Sequence, residues 1–242
     1  LVPELAQSYE ISPDGKKYTF VLRDKLTFHN KSPLTSEDIV FSIEKLQNPL
    51  LNSRDAQYWQ KVSVSTQDKN TVIATLENPD TKFLQKMTIG IMSRNQWQDV
   101  SDEEFPNSPS NLAPIGSGAF KIKSIDTNEL GAPKKVSLVR NGHYPLGAPL
   151  LSKLNIIVFA NEAALLKAIK DKTIDFTMDI SPQNILSEKL STEITITNIP
   201  TINTVELFRR DGEPTLANPS LLAIINKSID KTMVIDTVEN GY

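Results

Sequence analysis

Residues 11–46 read ISPDGKKYTFVLRDKLTFHNKSPLTSEDIVFSIEKL, and this stretch decides the fold. Pro13-Asp14-Gly15 is a turn tripeptide: proline presets one backbone angle and glycine takes a positive one without steric penalty. Past the turn, Tyr18, Phe20 and Leu22 fall on one face of an extended chain and Thr19 and Val21 on the other, the alternation of a half-buried strand closing a hairpin. Phe28 and His29 are placed to enter a further strand. Thr35 stands at a helix N-cap, Glu37 and Asp38 suit the positive end of the helix, and Ile39, Ile43 and Leu46 recur at helical spacing. The expectation is a hairpin, a further strand and a capped helix, with Phe20 and Phe28 buried.

The 242 residues, 39% of them hydrophobic, can bury the core of one or two domains. Net charge is -3, with basic residues scattered among acidic ones, so no basic stripe for nucleic acid is present. No cysteine occurs, which excludes disulfides, thiolate metal ligands and a cysteine nucleophile within these residues. No apolar run is long enough to cross a bilayer. The opening Leu1-Val2-Pro3 carries no basic and apolar signal segment, and both ends read as cut from a longer protein.

Beyond the opening stretch, residues 71–76 read as a strand and 81–87 as a short helix, ahead of the apolar run Ile89, Ile91 and Met92. Residues 107–114, with two prolines among Asn and Ser, read as a loop. Val136 and Leu138 belong to a strand ending near Arg140-Asn141, and Leu154, Ile156 and Val158 alternate in the next. Asn161 can cap a helix over 162–170 whose Leu165, Leu166 and Ile169 form an apolar stripe. Ile174, Phe176, Met178 and Ile180 then alternate against Asp175, Thr177 and Asp179, which completes a β-α-β reading. Ile194, Ile196 and Ile199 read as a strand ending at Pro200, and residues 202–208 continue extended. Asn218-Pro219 starts a helix that buries Leu222, Ile225 and Ile229, and Gly241 ends a second one.

Residues that could carry chemistry have simpler uses. His29 and His143 are the only histidines, and neither has a partner at ligand spacing, so a structural role is assigned to each and no metal site is expected. Asp171, Asp175 and Asp179 lack the spacing of a calcium loop. Gly116-Ser117-Gly118 is followed by Ala119-Phe120-Lys121-Ile122, a strand, where a phosphate loop would have Lys-Ser/Thr or an immediate helix, so a tight turn is preferred. No nucleophile elbow occurs. Carboxylate pairs for glycan hydrolysis have no particular support among 29 acidic residues. Trp59 and Trp97 read as packing rather than as a groove lining.

Three motifs in order carry a family resemblance. The first comprises Ser12, Asp14 and Gly15 in the turn, Tyr18, Phe20, Leu22 and Arg23 in the strand, Phe28 and His29, and Pro33, Thr35, Asp38 and Phe41 at the helix. The second is Pro114-Ile115-Gly116-Ser117-Gly118-Ala119-Phe120, with Ala119 in place of a usual proline. The third runs over 136–175, ending in Ile174-Asp175-Phe176, and Ser228-Ile229-Asp230-Lys231 stands where relatives cross into a second lobe. Phe208-Arg209-Arg210 and Leu221-Leu222 depart from the usual pattern there. With these motifs the chain resembles the extracytoplasmic solute-binding proteins of ABC importers, family 5, the oligopeptide, dipeptide and nickel-binding group.

The resemblance implies a mixed α/β chain with the two-lobe fold of type II periplasmic binding proteins and an extra β-rich subdomain, the second lobe largely missing. It implies a β-rich subdomain of lobe 1 over 1–115, the α/β part of that lobe over 116–205, and an incomplete entry to lobe 2 over 206–242. The implied function is that of a receptor for an oligopeptide or dipeptide, not an enzyme, which delivers its ligand to ABC permease subunits by hinge closure. Thr88, Gly90, Asn203, Thr204 and Glu206 are the residues expected near the ligand. No cofactor, metal or nucleic acid is implied, and a monomer is expected in the periplasm or lipid-anchored at the outer face of the membrane. An extracellular hydrolase of peptides or glycans, and a peptide-sensing receptor on the same fold, are the alternatives.

Overall fold

The Pro13-Asp14-Gly15 turn folds as its residue types require. Gly15 sits at φ +68°, and its N–H donates to the Ser12 carbonyl at 2.8 Å. The Asp14 carboxylate accepts from the Ser12 hydroxyl at 2.5 Å and from the Lys16 N–H at 3.1 Å, and these bonds, the hydroxyl's above all, hold it below the usual carboxylate range. The turn joins β1 (Ala6–Ile11) to β2 (Lys17–Leu22) with Tyr9 opposite Phe20.

The computed structural model describes residues 2–178, 180–181, 184, 194–195, 197, 219–230 and 232–233. It has two units, Leu1–Val158 and Phe159–Tyr242. In the first unit, β3 (Val62–Asp68) and β4 (Thr71–Leu76) extend the hairpin into an antiparallel sheet of order β1-β2-β4-β3. Phe20 lies opposite Val72 and Tyr18 opposite Ala74, so the apolar alternation of β2 and that of β4 share one buried face. Strand β3 is not expected from its sequence, because only Val62 and Val64 break a polar run. It is a strand because β4 offers it a ladder, Val62 opposite Leu76 and Val64 opposite Ala74.

Helix α1 (Ser36–Gln47) covers that face with Ile39 and Ile43. Its start is set as expected: the Thr35 N–H donates to Asp38 Oδ2 at 2.9 Å. Two single-turn helices, α2 (Ala56–Trp59) and α3 (Phe83–Lys86), bring Trp59 and Phe83 into the same core. A further turn, α4 (Arg94–Trp97), buries Trp97 against Phe105, with ring centroids 4.5 Å apart. Both tryptophans are packing residues. Fully burying side chains of this size contributes about 1.5–3 kcal/mol each, so this core dominates the stability of the first unit.

Phe28 and His29 form no strand, contrary to expectation; the only pairing here is an isolated bridge between Thr27 and Pro33. The backbone is occupied otherwise: the Phe28 N–H donates to Ser32 O at 2.9 Å and the His29 N–H to Gly116 O at 2.8 Å. Phe28 is nevertheless buried. Residues 107–114, read as a loop, contain the end of one 3-10 turn, Phe105–Asn107, and the whole of another, Pro109–Leu112.

A second antiparallel sheet comes next, β5 (Phe120–Thr127), β6 (Pro133–Arg140) and β7 (Lys153–Ile157) in that order. In the second unit, the Asn161 Oδ1 accepts the Ala164 N–H at 2.9 Å and caps α5 (Glu162–Lys170), which buries Leu165 and Leu166. The β-α-β reading does not hold beyond α5. Residues 173–178 form no strand, and Phe176 and Met178 are 76% and 83% exposed. Alternation says which face a strand would bury, but a strand also needs a neighbour for its ladder, and no described strand pairs there. Helix α6 (Pro219–Ser228) begins at Pro219 as expected. Ile229, expected to bury, lies past its end and is 41% exposed. Of the strand expected to end at Pro200, residues 194, 195 and 197 are described and are not in a strand; the rest of it, residues 202–208, the side chains of Leu222 and Ile225, and Gly241 lie outside the described residues.

Candidate binding site

An apolar groove of about 560 Å³ opens in the first unit. The sheet supplies Phe20, Leu22 and Val72, and α1 supplies Ile39. The residues after α3, from Met87 to Ile91, and the N-terminal residues from Val2 to Ala6 form further walls. The Gly116-Ser117-Gly118 turn completes the lining. Among the described residues of this lining there is no lysine, arginine or histidine, and Glu4 supplies the one carboxylate.

Each wall is tied to the core by a named bond. The Met92 N–H donates to Ser42 Oγ at 2.8 Å, and that hydroxyl donates to Asp38 O at 2.7 Å. Asp38 Oδ1 accepts the Arg94 N–H at 2.9 Å, so one buried carboxylate serves the start of α1 and the segment that leaves the groove. The N-terminal wall is held by Arg23, whose N–H donates to Leu5 O and whose Nε donates to Glu4 O, both at 2.9 Å. Burial first, and the Glu4 carboxylate near it second, push the Tyr144 phenol above its ordinary value.

The glycine turn is gripped from behind. Gly116 O accepts the His29 N–H, and Gly118 O accepts Asn141 Nδ2 at 3.1 Å and lies 3.0 Å from His29 Nε2, which donates in the tautomer protonated there. His29 therefore has the structural role expected of it. His143 has its N–H on Asn141 Oδ1 at 3.0 Å. Among the described residues, the N–H groups of Ile89, Gly90 and Ile91, and those of Gly116, Ser117, Gly118 and Ala119, donate to no protein group. The groove thus combines an apolar wall with two stretches of backbone that still have hydrogen bonds to give. No group of three His, Asp or Glu side chains able to hold a metal occurs among the described residues.

Of the residues expected near a ligand, Thr88 and Gly90 line this groove, whereas Asn203, Thr204 and Glu206 lie outside the described residues. Sequence reasoning missed Phe20, which is both core and groove wall, and Gly116 to Gly118, read only as a turn into β5. Two glycines within three residues, with neither a following helix nor a lysine, were the available signal.

The whole chain, residues 1–242, matches the family model described as bacterial extracellular solute-binding proteins, family 5 Middle. A Brucella ovis protein named for peptide binding in an ABC transporter is 32% identical over 180 residues, covering 73% of this chain and 33% of that protein. A Pseudomonas aeruginosa protein named for di- and tripeptide binding is 23% identical, covering 100% of this chain and 49% of that one. The crystal structure of NikZ from Campylobacter jejuni in complex with Ni(L-His) superposes with a TM-score of 0.67 at 28% identity, over 76% of this chain and 36% of that one. The chain therefore spans about half the length, or less, of the curated relatives it matches. Its mixed α/β architecture is that of the type II periplasmic binding proteins. With its entire length inside the family match and its motifs in order, the chain belongs to the bacterial extracellular solute-binding proteins of family 5.

Proposed function

We propose that this chain is part of the extracytoplasmic receptor of an ABC importer, that its solute is a short peptide, and that it passes this solute to membrane permease subunits as two lobes close by a hinge. The observation that carries the reading is the groove, where an apolar wall for side chains stands beside the unpaired backbone donors of 89–91 and 116–118. An extended peptide offers what such a wall takes, main-chain acceptors together with side chains of varied shape. The names of the Brucella and Pseudomonas relatives support a peptide, while Ni(L-His) in NikZ marks another class of solute on this fold.

In this reading Thr88 and Gly90 touch the ligand, Asn203, Thr204 and Glu206 are further contacts, residues 1–115 and 116–205 are parts of one lobe, and 206–242 enters the other. The receptor acts as a monomer, free in a periplasm or held by a lipid, and turns nothing over. The test is the mass of whatever is released when the full-length protein, purified natively, is denatured. Released peptides, rebound by the refolded protein in calorimetry, support the reading. A metal complex or another small solute in their place would overturn the peptide assignment, and turnover of a peptide would overturn the receptor.

A further inference from the structure

The Gly116-Ser117-Gly118 turn carries more than its role in opening β5. In a planar trans peptide the carbonyl and the following N–H point in opposite directions. The carbonyls of Gly116 and Gly118 are turned to His29 and Asn141, so the N–H groups of Ser117 and Ala119 point away from those partners. Neither these two nor the N–H groups of Gly116 and Gly118 donate to a protein group among the described residues, and the Ser117 hydroxyl has no partner there either. All four residues are half-buried, so their N–H groups are open to solvent or to a ligand. A Cβ built at Gly118 would meet nothing within 4 Å, so the backbone is open to close approach at that point.

Successive unpaired N–H groups in a turn make a concavity of partial positive charge suited to an anionic oxygen. The lining limits which anion fits. Among the described residues it holds no Lys, Arg or His to neutralise a dianion, it includes the Glu4 carboxylate, and its walls are otherwise mostly apolar. The Glu4 carboxylate repels any anion and a dianion most, so the anion least disfavoured here is a monoanionic carboxylate on an apolar body, set at the turn's N–H groups. We propose that the turn over 116–119 is the carboxylate-binding site of the groove; on the peptide reading above, on which this assignment rests, it receives the ligand's C-terminus.

The experiment titrates the full-length protein calorimetrically with the tripeptide Ala-Phe-Ala and with its C-terminal amide. The free acid is expected to bind at least about tenfold more tightly than the amide, a difference of about 1.4 kcal/mol. Gly118→Val is expected to reduce that ratio towards one, the acid losing more affinity than the amide, with the melting temperature unchanged. Gly118→Ala is the smaller step, used if the larger one unfolds the turn, and Ser117→Ala is expected to remove part of the preference. Equal binding of acid and amide to the wild type, or an equal loss of both in the glycine variants, overturns the site. If neither peptide binds, the peptide reading fails and 4-phenylbutyrate against 4-phenylbutyramide decides the site alone. Amide NMR shifts at 116–119 with the acid only would support it, and no shift with the acid would overturn it.

Discussion

The Ser42 hydroxyl, buried inside α1, accepts the Met92 N–H at 2.8 Å while donating to Asp38 O at 2.7 Å. One side chain therefore carries the position of the core helix to the segment 88–91 that lines the groove. Ser42→Ala leaves the Met92 donor without its partner, and the expected loss is about 1–3 kcal/mol of stability. Hydrogen exchange checks the cause, since the Met92 amide should lose protection before the amides of β2 and β4 do.

Phe20 packs 6.1 Å from the Tyr9 ring and 6.4 Å from that of Tyr18, lies opposite Val72, and lines the groove. Phe20→Ala is expected to cost about 3–5 kcal/mol, read from chemical denaturation. Because the ring is also a wall, ligand affinity of the folded fraction should fall as well. An unchanged affinity at reduced stability would remove Phe20 from the site and leave it a core residue.

Gly90 tests the groove with little structural side effect. A Cβ built there meets nothing within 4 Å, and its φ lies outside the left-handed region. Gly90→Val should leave the melting temperature of the full-length protein within a degree or two and lower its affinity for the released solute by about tenfold. Full affinity in calorimetry would place the ligand elsewhere.

Asp80 gives the first unit a pH-dependent clasp. Its Oδ2 accepts the Tyr58 hydroxyl at 2.7 Å, its Oδ1 accepts the Lys82 N–H at 2.8 Å, and its carbonyl accepts the Tyr18 hydroxyl at 3.2 Å. The Tyr58 bond first and the Lys82 bond second hold the carboxyl below its ordinary 3.8, while desolvation and the same carboxylate push the Tyr58 phenol up. A depressed folded value means that the clasp stabilises fully above the ordinary carboxylate range and is lost as pH falls through the folded value. Tyr58→Phe should therefore cost about 1 kcal/mol at neutral pH and progressively less below about pH 4, as read from urea midpoints across pH.

What the sequence determined by itself is local. Gly15 in its turn, the alternation of Tyr18, Phe20 and Leu22, the Thr35–Asp38 start of α1 and the Asn161 cap all depend on neighbours within a few residues, so composition and spacing specify them. Family membership was legible for the same reason, as a series of local motifs in order. The tertiary structure alone decided which extended segments found a ladder. The weakly patterned β3 pairs with β4, whereas the strongly alternating residues 173–178 have no described strand beside them. It also decided the site. Thr88 and Gly90 were legible as candidates, but Phe20, Glu4 and the 116–118 turn share a groove only because Arg23, His29 and Asn141 draw together segments distant in the chain. A spacing rule cannot encode such long-range hydrogen bonds, since their geometry exists only after the sheets have formed.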